Sequence, residues 1–111
     1  MGKSSSKVKK ISIYIDENEK YEGKPLYHVI ILKARELGLA EATVLRGIEG
    51  LDNNNKISST RILDISSNLP IVIDIIDHKE KIDLLLPFLD EAVGRGLVTI
   101  EEVDSIRYTE S

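Results

Sequence analysis

Four arginines, Arg46, Arg61, Arg95 and Arg107, stand outside the predicted helices, each near a loop or a strand end. Such placement suits an anion. A guanidinium fork matches phosphate or carboxylate oxygens, and neighbouring glycines let backbone N–H groups turn toward the same charge. Residues 42–50 read A-T-V-L-R-G-I-E-G. A strand over Thr43, Val44 and Leu45 runs into a neck made of Arg46, Gly47, Glu49 and Gly50. Behind it comes the polar loop Leu51-Asp52-Asn53-Asn54-Asn55-Lys56, with Arg61 on its far side. Arg95 sits between Gly94 and Gly96, and Arg107 lies near the end of the last predicted strand. These residues form the candidate anion site. The competing reading is that all four arginines make surface ion pairs in an acidic protein, each of small energetic worth.

Other chemistries find less support. With no cysteine, disulfides and thiolate metal sites are excluded. The two histidines, His28 and His78, fall in the first turns of predicted helices, where an exposed surface role outweighs that of base or ligand. No H-x-x-x-H, G-x-S-x-G or P-loop pattern occurs. Asp16, Glu17 and Glu19 form an acidic turn that either takes a cation or is simply solvated. An acylphosphatase-type cradle would need an arginine after the first strand, and this chain places acids there. RNA binding on a sheet calls for stacked aromatics. The one phenylalanine, Phe88, is in a predicted helix, and Tyr14 and Tyr108 fit an interface better. Neither catalysis nor nucleic-acid binding is expected.

At 111 residues the chain suits one domain with one core. Its 41% hydrophobic and 31% charged residues are ordinary for a globular protein. No apolar run approaches the length of a membrane span, and residues 1–6, Met-Gly-Lys-Ser-Ser-Ser, lack the apolar centre of a signal peptide. Gly2 and Ser6 fit the short M-G-x-x-x-S myristoylation pattern, which is common by chance. The expected compartment is the cytoplasm, without stable membrane insertion. Four of the 15 basic residues lie in the first ten positions, which hold no acid. The remainder carries 11 basic and 19 acidic side chains, which argues against phosphate-backbone binding to nucleic acid. Residues 1–7 are expected to be a disordered basic tail, residues 8–108 the domain, and residues 109–111 a short tail.

The elements follow from periodicity. Ile11, Ile13 and Ile15 alternate with polar neighbours and predict a strand over residues 8–15. Residues 16–20 are a polar turn. Pro25 opens a helix whose apolar stripe is Leu26, Ile30, Ala34 and Leu37, ended by Gly38. The second strand covers residues 43–49, and residues 57–65 return as an irregular strand broken at residues 66–68. Residues 71–76, I-V-I-D-I-I, make a central strand covered on both faces. Asp77 is expected to cap the next helix. Its stripe is Ile82, Leu85, Leu86, Leu89 and Val93, with a kink or break at Pro87. Residues 97–100 and 103–108 are two short strands separated by a bend at Glu101-Glu102.

The order β-α-β-β-α-β predicts an α+β, ferredoxin-like sandwich. Two helices cover only one face of its sheet, and the other face still carries Tyr14, Val72 and Ile76. A sheet with two apolar faces and helices on one calls for a partner, and self-association is the simplest.

The stretches Y-E-G-K-P-L-Y (residues 21–27), G-L-A (38–40), A-T-V-L-R-G-I-E-G (42–50) and N-L-P-I-V-I (68–73) resemble the PII-like family known as domain of unknown function one-ninety. The likeness covers about residues 8–108. That family is similar to the PII (GlnB-type) signalling proteins. The resemblance implies a homotrimer with sheet faces inward and an adenine nucleotide between subunits. It places Arg46, Gly47, Glu49 and Gly50 at the base of the loop, Gly94, Arg95 and Gly96 in the turn after the second helix, and Arg107 among C-terminal basic positions. The loop over residues 51–60 would then signal to a protein target. It carries no tyrosine, so uridylylation is not implied. The turn at residues 94–96 has no lysine. A second expectation is a divalent-metal-tolerance protein like the CutA trimers, with ligands around Asp16, Glu17, Asp77 or His78. A third is an adaptor without a small-molecule ligand.

Overall fold

Three isoleucines facing one way make the first strand's buried side, and the chain around them folds as the alternation predicts. The computed structural model describes residues 2–61 and 68–110. The elements run β1 (Gly2–Asp16), β2 (Lys20–Tyr21), β3 (Lys24–Pro25), α1 (Leu26–Glu36), β4 (Glu41–Arg46), β5 (Glu49–Leu51), β6 (Ile57–Ser59), β7 (Pro70–Asp77), α2 (Lys79–Ala92) and β8 (Leu97–Thr109). Four strands form an antiparallel sheet in the order β4-β7-β1-β8. This is the expected ferredoxin-like arrangement, with two small ribbons, β2-β3 and β5-β6, added to it.

Ile11, Ile13 and Ile15 of β1 and Ile71, Ile73 and Ile75 of β7 are buried against Leu26, Ile30 and Ala34 of α1 and Ile82, Leu85 and Leu89 of α2. Burying aliphatic side chains of this size is the main stabilising term of such a core, at roughly 1.5–3 kcal/mol each. Gly38, at φ +74°, ends α1 as expected. Tyr21 packs edge-on against Phe88, their centroids 5.5 Å apart, and ties the β2-β3 ribbon to α2.

Several elements depart from expectation. Residues 2–7, expected to be a disordered tail, are the first part of β1, paired with the end of β8. The bend at Glu101-Glu102 is absent, and β8 is one strand of 13 residues. Both departures fall in one pairing, residues 2–14 of β1 against residues 97–109 of β8. Lys7, Lys9 and Lys10 meet Asp104, Glu102 and Glu101 across the two strands, at 3.3, 3.8 and 4.0 Å, so charges that look like loop signals are cross-strand partners. Asp77 does not cap α2. Its two carboxylate oxygens accept the His78 and Ala40 N–H groups instead, and His78 occupies the cap position without a side-chain bond. The helix continues through Pro87 to Ala92. The predicted second strand divides into β4 and β5, and the loop behind it becomes the β5-β6 hairpin. Of the predicted return strand, Ile57–Ser59 is β6, and residues 62–67 lie outside the described residues.

The face of the sheet away from the helices is ordered in rows by the strand register. Leu45, Val72, Tyr14 and Leu97 stand side by side across the four strands. The next row is polar: Thr43, Asp74, Ser12 and Thr99. Ser12 donates to Asp74 at 2.7 Å, which satisfies its hydroxyl on this face. Leu45 and Leu97 are each more than half exposed, and Val72 and Ile76 of β7 are half-buried on this face. Among the described residues β7 is therefore fully buried on its helix side only.

Candidate functional site

At one end of the sheet, β1, β4 and β7 meet the β5-β6 hairpin and the turn at residues 94–96. A cleft of about 420 Å³ opens there. One wall is Gly50, Asp52, Lys56 and Ser58 of the hairpin, and the other is Arg95, Gly96 and Leu97. Tyr14, Asp16 and Pro70 form its floor.

The hairpin tip is built around Asp52. Its carboxylate accepts the Asn54 and Lys56 N–H groups at 2.9 and 3.0 Å, closing an Asx-type turn. Asn55, at φ +63°, completes the reversal. The Lys56 N–H, with Asn54 N–H and the Arg95 charge adding to it, holds the Asp52 carboxyl below its ordinary value, against opposing desolvation. Arg95 reaches this carboxylate across the cleft, 3.8 Å away. At that length, with the Arg95 side chain 60% exposed, the pair is loose.

Glycine is needed on both walls. Gly96 has φ +153°, and a Cβ there would stand 2.5 Å from the Tyr14 carbonyl oxygen. Gly47 and Gly50 flank the Pro70 ring, where a Cβ on either would lie 2.8 Å from Pro70 Cγ. Gly47 also donates its N–H to the Pro70 carbonyl at 2.7 Å. The two neck glycines therefore allow the hairpin to fold closely over the start of β7.

The candidate residues do not all converge. Gly50, Arg95 and Gly96 line the cleft. Arg46 does not. Its guanidinium grips Glu17 with two bonds of 2.7 and 3.2 Å, bridging from β4 across β7 to the end of β1. Glu17 also accepts the Leu69 N–H at 3.1 Å. The Arg46 bond is the largest influence holding the Glu17 carboxyl below its ordinary value. Glu49 faces Ser59 and Arg61, which are 2.8 and 3.9 Å from its carboxylate. Arg107 bonds Glu41 at 3.0 Å, at the opposite end of β4 from Arg46. Gly94 has open space where a side chain would stand. Tyr14, Asp16, Asp52, Lys56, Ser58, Pro70 and Leu97 also line the cleft and are not among the anion-site candidates, although the D-x-N-x-K spacing is itself a turn signal.

Among the described residues, no group of three or more His, Asp or Glu side chains is placed to hold a metal ion. Asp16 and Asp77 stand at opposite ends of the β1-β7 pairing, so the acids proposed for a CutA-like site are not gathered. No described helix is long and apolar enough to cross a membrane.

Residues 8–105 match the DUF190 family, described as uncharacterized ACR. The chain belongs to the DUF190 family. A UPF0166 protein of Aquifex aeolicus is 40% identical over 102 residues, covering 90% of this chain and 94% of that protein. Another, from Methanocaldococcus jannaschii, is 36% identical over 98 residues, covering 86% and 89%. Among solved structures, the PII-like protein CPII of Thiomonas intermedia K12, bound to ADP and bicarbonate, aligns over 92% of this chain and 91% of its own with a TM-score of 0.66 at 13% identity. The ATP complex of GlnK from B. subtilis covers 87% and 82%, with a TM-score of 0.56 at 14% identity. These likenesses show a PII-like fold.

Proposed function

We propose that the protein is a non-enzymatic, PII-like regulatory protein, a homotrimer that binds an adenine nucleotide in the cleft between the hairpin and the 94–96 turn. The observation that carries this reading is the Arg95–Asp52 contact across the cleft. A phosphate is the natural competitor for Arg95, because it offers the guanidinium more anionic oxygens than one loosely held carboxylate. The same Asp52 carboxylate holds the hairpin tip through Asn54 and Lys56. An anion that draws Arg95 away therefore alters what Asp52 balances, and the state of the cleft reaches the loop. Leu51 and Ile57, paired on one face of the hairpin and both more than half exposed, give that loop an apolar surface for a protein target.

The sheet rows support self-association. Tyr14 and Leu97 belong both to the exposed apolar row and to the cleft. A second copy covering that row would also wall the site. That fold relatives hold ADP in CPII and ATP in GlnK supports an adenine nucleotide as the first ligand to try.

The test is a thermal-shift series with ADP, AMP, ATP, GTP, bicarbonate and divalent metals. A ligand that binds only the folded state raises the melting temperature. The reading expects a shift with an adenine nucleotide and none with metal alone. A flat response to every adenine nucleotide would sink it.

A further inference from the structure

The sheet accounts for only part of its two longest strands. Pairing of β1 with β7 begins at Lys9, so residues 2–8 of β1 have β8 as their sole neighbour in the described structure. From Val8 and Val103 outward to Gly2 and Thr109 the protein is a two-stranded ribbon. It contributes to an elongated outline of 48 × 29 × 24 Å and a radius of gyration of 15.7 Å, against about 13 Å for a compact chain of this length. An isolated two-stranded ribbon is marginally stable in water, and this one has an unpaired backbone edge on each side.

The two edges are chemically opposite. The free β1 edge carries Lys3 and Lys7 and no acid, and the β8 edge carries Glu102 and Asp104 on the same face of the ribbon. The other face carries mostly small side chains: Gly2, Ser4, Ser6 and Val8 on β1, with Val103, Ser105 and Thr109 on β8. Arg107 shares that face but reaches off the ribbon to Glu41.

We propose that the ribbons of neighbouring copies pair edge to edge, β1 of one against β8 of the next, and close a ring of arms. This rests on the self-association in the functional reading, and adds a contact that reading does not require. Like edges repel, since β1 on β1 sets lysines beside lysines and β8 on β8 sets acids beside acids. Unlike edges place each lysine column between two acidic ones. A contact between two different edges is heterologous and closes by rotation. Rotation about an axis along the ribbon keeps every β1 running one way and every β8 the other, so the new pairing is antiparallel like the internal one. Three copies make a ring of six strands. Eight strands are only just wide enough for side chains to fill the interior, so the narrower ring demands the glycine and serine face inward. The lysine stems of the neighbour then flank Ile106 and Tyr108 on the outside.

Two measurements test the ring on the full chain. Amide hydrogen exchange should show residues 3–8 and 103–108 protected like the central sheet, with protection lost on dilution to monomer. The second measurement uses a charge-reversed variant, which separates trans from cis contacts. Lys3→Glu and Lys7→Glu reverse the free β1 edge, Glu102→Lys and Asp104→Lys reverse the β8 edge, and Lys9→Glu keeps the internal pair with position 102. This variant should assemble with itself, and native mass spectrometry of its mixture with the parent should show a loss of mixed rings. Arms that exchange like free peptide in an assembled protein, or random mixing of the two chains, would overturn the ring while leaving the cleft reading standing. A protein that is monomeric throughout would remove both the ring and the trimer, a result distinct from failure of nucleotide binding.

Discussion

Replacing Arg95 with alanine should separate ligand binding from folding. Arg95 is 60% exposed and its described ionic contact is the 3.8 Å approach to Asp52, so the variant should melt at the parent's temperature. Binding should respond differently. A hydrogen bond from a charged group is worth about 1.5–3 kcal/mol, and each 1.4 kcal/mol is tenfold in affinity. Loss of one guanidinium–phosphate contact should thus weaken ADP roughly 10- to 100-fold. Isothermal titration with ADP reads this directly, and AMP serves as a probe of which phosphate Arg95 meets. Arg46→Ala is the contrast. Arg46 bridges β4 to Glu17 through two short bonds and does not line the cleft, so its loss should lower the melting temperature and leave the dissociation constant unchanged in folded protein. Parent-like ADP binding by Arg95→Ala, or lost binding in an Arg46→Ala protein of intact stability, would refute this assignment.

Other expectations follow from the same geometry. Gly96→Ala forces an alanine to φ +153° with its Cβ 2.5 Å from the Tyr14 carbonyl, and should destabilise the fold by roughly 2–5 kcal/mol in urea titration. Asp52→Ala removes both the hairpin turn and the competitor for Arg95, so hydrogen exchange at residues 53–57 should rise while ADP binds more tightly. Glu17 has a folded pKa below its ordinary value near 4.5. Its stabilising contribution is therefore present above that value and is lost as pH falls through the folded pKa. Glu17→Gln should flatten this acid limb in melting curves taken below pH 5, and an unchanged slope would remove the Arg46–Glu17 bridge from the account.

The sequence revealed elements whose signal is local. The alternating isoleucines of β1 and β7 and the stripe Leu26, Ile30, Ala34 predicted the sheet, α1 and the side on which they meet. It concealed pairings between distant polar segments. Residues 2–7 have no apolar rhythm, and their strand shows only in the pairing with residues 104–109, where Lys7 opposes Asp104. The site divided in the same way. Glycines placed the cleft, since only a residue without a side chain fits beside Tyr14 and Pro70. Arginine type alone could not assign the ligands, because a guanidinium that fits phosphate fits Glu17 equally well, and only the fold shows that Arg46 has found that carboxylate.

The central claim is most directly tested by a crystal structure of the protein grown with ADP. The account predicts the nucleotide in the cleft between the β5-β6 hairpin and the 94–96 turn, with a phosphate oxygen on the Arg95 guanidinium and Asp52 released from it. Phosphate held instead by Arg61 or Arg107 outside that cleft, with Arg95 still facing Asp52, would contradict it.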